Sequence, residues 1–421
     1  MKLRSRTGDG VEKKQVDTIR EEEDADLEKE YEVQFTELPS EDEVQINEDA
    51  RLNPAVLHGT DWTTETVVGQ LKRGNIILNP SFQRRDAWSR LQKSRFVESL
   101  IIGLPIPQIV LAESKTNRGQ FIVLDGKQRL LSILQFWGLG EGDKNGYALT
   151  GLEVLTELNR LRYADLELGE ENRDFFNALQ NQSIRTVVIR NWPNIDFLHT
   201  VFLRLNTGSV KLSPQELRQA LFPGAFSDWV DVASANSVGI KRLLNLKDPD
   251  YRMRDIEILA RFLAFRFYIN GYGGRMKNFI DSAFDRFNKN WKEMQGPVQD
   301  ALEDFEAAIT VLIEIFGNDV ARKPDSRPFN RAIFDYLVFY AQRAEVREKI
   351  ANNPAGVLKA YTELFLDTDF RAAVERDTAS VPNTALRLSR WGQKLNTLFK
   401  LRLPLPAQDP YNNLTFPGFR N

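Results

Sequence analysis

The sequence predicts a chain of mixed class, an α+β domain followed by an all-α helical domain behind an acidic tail, and three observations carry that reading. Two short apolar runs, Ile106–Leu111 and Phe121–Leu124, are separated by a polar turn containing Asn117 and Gly119, the pattern of paired strands in a buried sheet. The second run passes through Asp125-Gly126 into a helical repeat of Leu130, Leu131, Ile133, Leu134 and Phe136. Beyond about residue 250 almost every segment has helical periodicity, punctuated near Gly296-Pro297, Lys323-Pro324 and Asn353-Pro354.

Taken in order, residues 1–50 are rich in Glu, Asp and Lys and poor in aromatics, with acidic runs at Glu21-Glu22-Glu23-Asp24-Ala25-Asp26 and Glu41-Asp42-Glu43. Such a segment cannot bury enough apolar surface to offset its ordering entropy, so it reads as a mostly disordered tail, either a solvating extension or an acidic mimic for a basic cleft. The structured domain is expected over 51–235. Val67, Val68 and Leu71 predict a short helix ending near Gly74, and Ile76-Ile77-Leu78 an extended segment. A turn at Asn79-Pro80 leads to a second helix through Leu91, Phe96, Val97, Leu100 and Ile101, with Gly103 at its C-cap. After the two apolar strands and the helix from about Gln128 come a strand at Thr186–Ile189, a helix over about 195–205 and the loop Asn206-Thr207-Gly208-Ser209. Ser213-Pro214-Gln215-Glu216 then combines an N-cap serine, a proline at N1 and a glutamate at N3, a helix start. The helical domain is expected over 236–421, where Trp229, just before it, and Phe262, Phe265 and Phe267 fall at helical spacing and read as core.

Composition narrows the chemistry. The chain of 421 residues carries a formal net charge of −3, much of the acid lying in the tail, so the remainder is basic. A general nonspecific DNA coat is not expected, while a local basic cleft is compatible with the balance. The absence of cysteine excludes disulfides, thiolate catalysis and cysteine-ligated metal sites, and suits a cytoplasmic location. His58 and His199 are the two histidines, too few for histidine-based zinc chemistry. No uninterrupted apolar window of about 18 residues occurs, and Met1-Lys2-Leu3-Arg4-Ser5-Arg6 leads into charge, so neither a membrane span nor a secretory signal is expected.

The strand–turn–helix at Asp125–Arg129 is the first candidate site. Backbone N–H groups and the positive end of a helix dipole meet there, Gly126 permits close approach, and Lys127 and Arg129 add charge that suits phosphate. Asp125 could hold Mg²⁺ or orient a water. A polar turn with two cations also fits a solvated helix cap. The second candidate is Phe82-Gln83-Arg84-Arg85-Asp86-Ala87-Trp88, where Arg84 and Arg85 can reach phosphate, or can equally pair with Asp86 or Glu98 between aromatic anchors.

The succession Asn79–Arg84, Leu104-Pro105-Ile106-Pro107, Leu124–Leu130 and Phe202–Gly208 resembles the ParB/sulfiredoxin-like superfamily, and within it the branch forming the N-terminal domain of GmrSD-type modification-dependent restriction enzymes. The resemblance covers about residues 60–230, and Arg252-Met253-Arg254-Asp255-Ile256-Glu257 is similar to the helical extension of that branch. It implies a nucleotide-binding, often nucleotide-hydrolysing module in which Gln83, Arg84, Asp125, Gly126, Gln128 and Arg129 form the phosphate site, with Asn206 and Glu216 as weaker carry-overs. Where the family's usual residue is glutamine, this chain has Lys127. The family's full-length enzymes carry a histidine-containing C-terminal nuclease, and no histidine follows His199 here. The expected function is therefore a Mg²⁺-dependent nucleoside-triphosphate-binding and hydrolysing switch of a prokaryotic defence system, with Asp125, Gln128 and Arg129 catalytic and Asp125 and Glu216 toward the metal. Double-stranded DNA and a protein partner or second copy on the helical domain are the expected partners. The alternatives are a noncatalytic nucleotide- or DNA-binding module that docks a partner, and a metal-dependent nickase using Asp125 and Glu216.

Overall fold

The computed structural model describes residues 56–78, 85–140, 144–195, 197–198, 200–201 and 213–417. The acidic tail over 1–50, Gln83 and Arg84, His199, most of the expected helix over 195–205 and the loop carrying Asn206 lie outside the described residues. The α+β class expected from the sequence is present, as a five-stranded sheet with helices followed by a long helical region.

Strand β1 (Val56–Thr63) opens the described chain, and Thr63 at its end accepts the Thr66 N–H to cap α1 (Thr64–Lys72), which buries Val67, Val68 and Leu71. Strand β2 (Ile76–Ile77) follows. Ser89 caps α2 (Arg90–Ile102) in a reciprocal box with Gln92, and α2 ends at Gly103 in the left-handed region with φ 81°. Strands β3 (Ile109–Glu113) and β4 (Phe121–Asp125) are buried on both faces, which is why each reads as an unbroken apolar run. Gly126 turns the chain into α3 (Lys127–Phe136). Two helices, α4 (Tyr163–Leu168) and α5 (Arg173–Asn181), precede β5 (Ser183–Arg190).

The sheet order is β1-β5-β3-β4-β2, with β1–β5 and β3–β4 antiparallel and β3–β5 and β2–β4 parallel. Its core joins Leu111 and Val123 to Val97, Leu100, Leu130 and Ile133 of α2 and α3. A register shift between Val110 and Leu111 sets Val110 opposite Asp125, beside the turn into α3.

The helical part comprises α6 (Pro214–Leu221), α7 (Ala225–Asn236), α8 (Val238–Leu244), α9 (Arg254–Tyr268), α10 (Met276–Lys289), α11 (Trp291–Phe316), α12 (Arg331–Ala341), α13 (Ala344–Ala351), α14 (Pro354–Leu364), α15 (Thr368–Glu375) and α16 (Val381–Phe399). A two-stranded ribbon, β6 (Ala407–Gln408) with β7 (Leu414–Thr415), follows. Gly296-Pro297 does not interrupt the helix as expected: α11 runs through both residues. The proline lies in the second turn, where a single missing N–H is outweighed by burial of Val298, Ala301 and Phe305 on the face beyond it.

The chain divides into two compact units, one of Ile46–Ala260 with Asp281–Gln295, the other of Arg261–Ile280 with Gly296–Asn421. The first extends past the expected boundary near 235. Phe226 packs on Phe284 and Phe287, and Arg218 pairs with Asp281 at 2.6 Å, drawing those residues into the first unit. In the second unit α12 is buried on every side, and the wholly buried Arg387 donates to the carbonyls of Ala373 and Thr378. Burial, partly offset by Asp335, pushes the Arg387 guanidinium down to about 10. Phe262 and Phe265 are core as expected, while Trp229 and Phe267 are half-buried.

Candidate functional site

The turn from β4 to α3 combines a buried strand end with a helix start that no side chain caps. Gly126 occupies the N-cap with φ 94°, and no side chain caps α3. A Cβ there would lie 3.1 Å from Ile109 Cγ1 and 3.3 Å from Arg129 Nη2, so the position suits glycine on both conformation and space. The first N–H groups of α3 therefore form a cradle of the kind that accepts anions.

Arg129 Nη2 donates to Asp125 Oδ2 at 2.9 Å and to the Gln108 carbonyl at 3.0 Å. Its Nε is buried with no partner among the described residues, and so is Gln128 Oε1. Lys127 turns the other way, its Nζ 2.6 Å from Glu216 Oε1, with both side chains almost fully buried. Glu216 is simultaneously the N3 residue of the α6 capping box: Ser213 N–H donates to Oε2 at 2.7 Å, and Glu216 N–H donates to Ser213 Oγ at 3.1 Å.

Four residues of the expected phosphate and catalytic set, Asp125, Gly126, Gln128 and Arg129, thus come together at one turn. Lys127 leaves that turn on its backbone and meets Glu216, which lies 89 positions away in sequence. Asp125 and Glu216, the expected metal pair, each bind a cation of the protein, and no group of three or more His, Asp or Glu placed to hold a metal occurs among the described residues.

Arg85 was expected to face phosphate or to pair with Asp86 or Glu98. It instead lies wholly buried, its Nε 2.9 Å from Asp231 Oδ1, its Nη1 2.7 Å from Asp255 Oδ1 and 2.5 Å from the Asp250 carbonyl. Burial opposes its charge, but Asp255 and then Asp231 outweigh that and hold the guanidinium above its ordinary value. Burial pushes the Asp255 carboxyl up against the pull of Arg85, with Asp250 adding to the rise. Asp86 pairs with Lys93, and Glu98 accepts the N–H groups of Glu153, Val154 and Leu155 at 3.2, 2.8 and 2.7 Å. Neither Asp231 nor Asp250 was legible as a site residue, because an isolated acid on a helix or in a loop reads as surface.

Residues 64–223 match the family model described as the N-terminal domain of the GmrSD restriction endonuclease, a stretch of less than half the chain that spans α1 to the residues just after α6. No curated protein matches the chain. Among the described residues, no helix is long and apolar enough to cross a membrane.

Proposed function

We propose that the first unit binds a nucleoside triphosphate, carried as its Mg²⁺ complex, at the β4–α3 turn and acts as the nucleotide-responsive module of a restriction or phage-defence system. The observation that carries this reading is the uncapped start of α3 at a left-handed glycine, with Arg129 held beside it and its Nε left unpartnered. A guanidinium with a buried free donor next to uncapped helix N–H groups is suited to phosphate oxygens. Gln83 and Arg84 supply the second arm on the strength of their sequence motif. The description of the matching family model supports the defence setting.

The donor set fits a metal that arrives with the phosphates rather than one held in a protein cage. Asp125 commits Oδ2 to Arg129 and leaves Oδ1 without a described partner, so it can contribute one ligand where magnesium takes most of its ligands from phosphate and water. Hydrolysis would then use Asp125 to orient water and Arg129 to offset charge on the transferred phosphoryl group. The pairing of both Asp125 and Glu216 favours a second reading, a noncatalytic module that grips nucleotide or DNA phosphate and signals to a partner. Nicking by an Asp125–Glu216 metal pair would require both carboxylates to leave their cations.

The deciding experiment is phosphate release from ATP, GTP, CTP and UTP with Mg²⁺, for wild type and Arg129→Ala, with and without double-stranded DNA. Turnover abolished by the substitution is the expected result. Binding by calorimetry without turnover selects the noncatalytic reading, and no binding of any of the four refutes the proposal.

A further inference from the structure

Lys127 and Glu216 tie together two helix starts that sequence places far apart. Their contact is 2.6 Å, with side chains 2% and 5% exposed. Both oxygens of Glu216 are committed, one to Lys127 and the other to the Ser213 N–H. Ser213 continues the connection, its Oγ donating to the Arg252 carbonyl at 2.6 Å. The same loop supplies the Asp250 carbonyl and, at the start of α9, the Asp255 carboxylate to Arg85. A continuous polar chain therefore runs from the first residue of α3 through α6 to the loop before α9, and returns at Arg85 to the segment bearing Gln83 and Arg84.

The chain's two charged ends, Lys127 with Glu216 and Arg85 with Asp231 and Asp255, are buried, and breaking a link there leaves a charge with little water to replace its partner. It also carries unspent hydrogen-bonding capacity: Arg252 Nε, Gln215 Nε2 and Gln219 Oε1 are buried without partners among the described residues. Unsatisfied buried donors and acceptors beside a charged chain give it a second arrangement to move to when one link is pulled.

We infer that Lys127 is a positioning residue rather than a phosphate ligand: through Glu216 and Ser213 it couples the nucleotide turn to α6 and the Arg252 loop. The inference rests on the nucleotide reading of the β4–α3 turn. A phosphate at the start of α3 competes with Glu216 for the field of Lys127. As that link loosens, the α6 capping box loses one of its two anchors, and the change reaches the loop that holds Arg85.

The test is a double-substitution cycle in the full chain, using Lys127→Gln, Glu216→Gln and both together, with the affinity for Mg²⁺-ATP, -GTP, -CTP and -UTP measured by calorimetry. Positioning predicts that each single substitution weakens binding by about tenfold, and that the double variant, an amide facing an amide, recovers to within about threefold of wild type. Hydrogen exchange supplies the second readout: nucleotide lowers amide protection over residues 213–221 in wild type and leaves it unchanged in the double variant. A loss with Lys127→Gln that persists undiminished in the double variant makes Lys127 a direct phosphate ligand and overturns the inference, with the nucleotide site intact. Unchanged protection over residues 213–221 in a wild type that binds nucleotide overturns it as well. If wild type binds none of the four nucleotides, the site reading falls and the coupling to nucleotide falls with it, an outcome distinct from the other two.

Discussion

Replacing Arg85 with methionine removes one cation from between two buried carboxylates and leaves a side chain of similar length in its place. Arg85 makes charge-assisted hydrogen bonds to Asp231 and Asp255 and a further one to the Asp250 carbonyl, all away from solvent. Removing one partner of a buried ion pair costs about 3–5 kcal/mol, because the surviving charge keeps its desolvation penalty and loses its compensation. The variant can relieve part of this by protonating a carboxyl. From an ordinary value near 3.9, that costs about 4 kcal/mol at pH 7 and about 1.5 kcal/mol at pH 5. Asp255 takes this proton, since burial already pushes it up in the wild type. Folding of the variant then takes up a proton, so its stability falls as pH rises. The expected deficit in urea unfolding is about 4 kcal/mol at pH 7 and about 2 kcal/mol at pH 5. Replacing Asp231 and Asp255 with leucine in the same background should recover most of the loss. A deficit below about 1 kcal/mol at pH 7, or one that does not shrink on acidification, refutes the account of Arg85 as the charge that holds these carboxylates in the interior.

Three further outcomes follow from particular contacts. Glu98→Gln should destabilise the first unit by about 2 kcal/mol at pH 7, since the Glu98 carboxylate accepts three consecutive backbone N–H groups. Burial opposes that charge, but the three bonds outweigh it and hold its pKa below 4.5, so the contribution is present above that value and is lost as pH falls through the lower folded value. Melting of wild type and variant should therefore converge once the pH has fallen through that lower folded value, and a constant gap contradicts this. Gly126→Ala should cost about 1–2 kcal/mol and weaken nucleotide binding, because φ is 94° and the new Cβ crowds Ile109 and Arg129; unchanged calorimetric affinity would separate the turn geometry from the site. Gly296→Ala should leave stability within about 1 kcal/mol of wild type, because the helix-propensity gain inside α11 is offset by crowding of the new Cβ against the ring of Pro297, and a larger gain in urea unfolding would contradict a continuous helix there.

The features legible in the sequence are those that local chemistry determines. Ser213 announced a helix start, and Gly103 a helix end, because capping is settled within a few residues. Strands β3 and β4 were readable because they are buried on both faces and so contain no polar interruption. Strand β1 was not. It is an edge strand paired on one side to β5, and its central Gly-Thr-Asp looks like a turn until its partner is known. The Gly296-Pro297 pair misled for the opposite reason: local punctuation was overridden by packing along the rest of α11. At the site, the turn itself was legible. The direction of Lys127 and the destination of Arg85 were not, since a charged residue carries no periodic trace of a partner many positions away.

The extent of the family match can be set against this pattern of pairing. Residues 64–223 contain both Lys127 and Glu216, so the link from α3 to α6 lies inside the matched stretch. Arg85 also lies inside it, while Asp231, Asp250 and Asp255 lie beyond its end. A buried arginine whose compensating acids all come from later residues cannot be stable in a unit that stops at residue 223. The structural unit is larger than the matched one for that reason, and it extends far enough to include the acids. Arg85, which follows Gln83 and Arg84 in sequence, is thereby anchored to the α7–α9 region. Any change in the loop before α9 bears on the arginine next to the proposed phosphate arm, and any change at the β4–α3 turn bears on the same loop through Glu216 and Ser213. The two motifs that sequence singles out separately are, in the folded chain, the two ends of one charged connection.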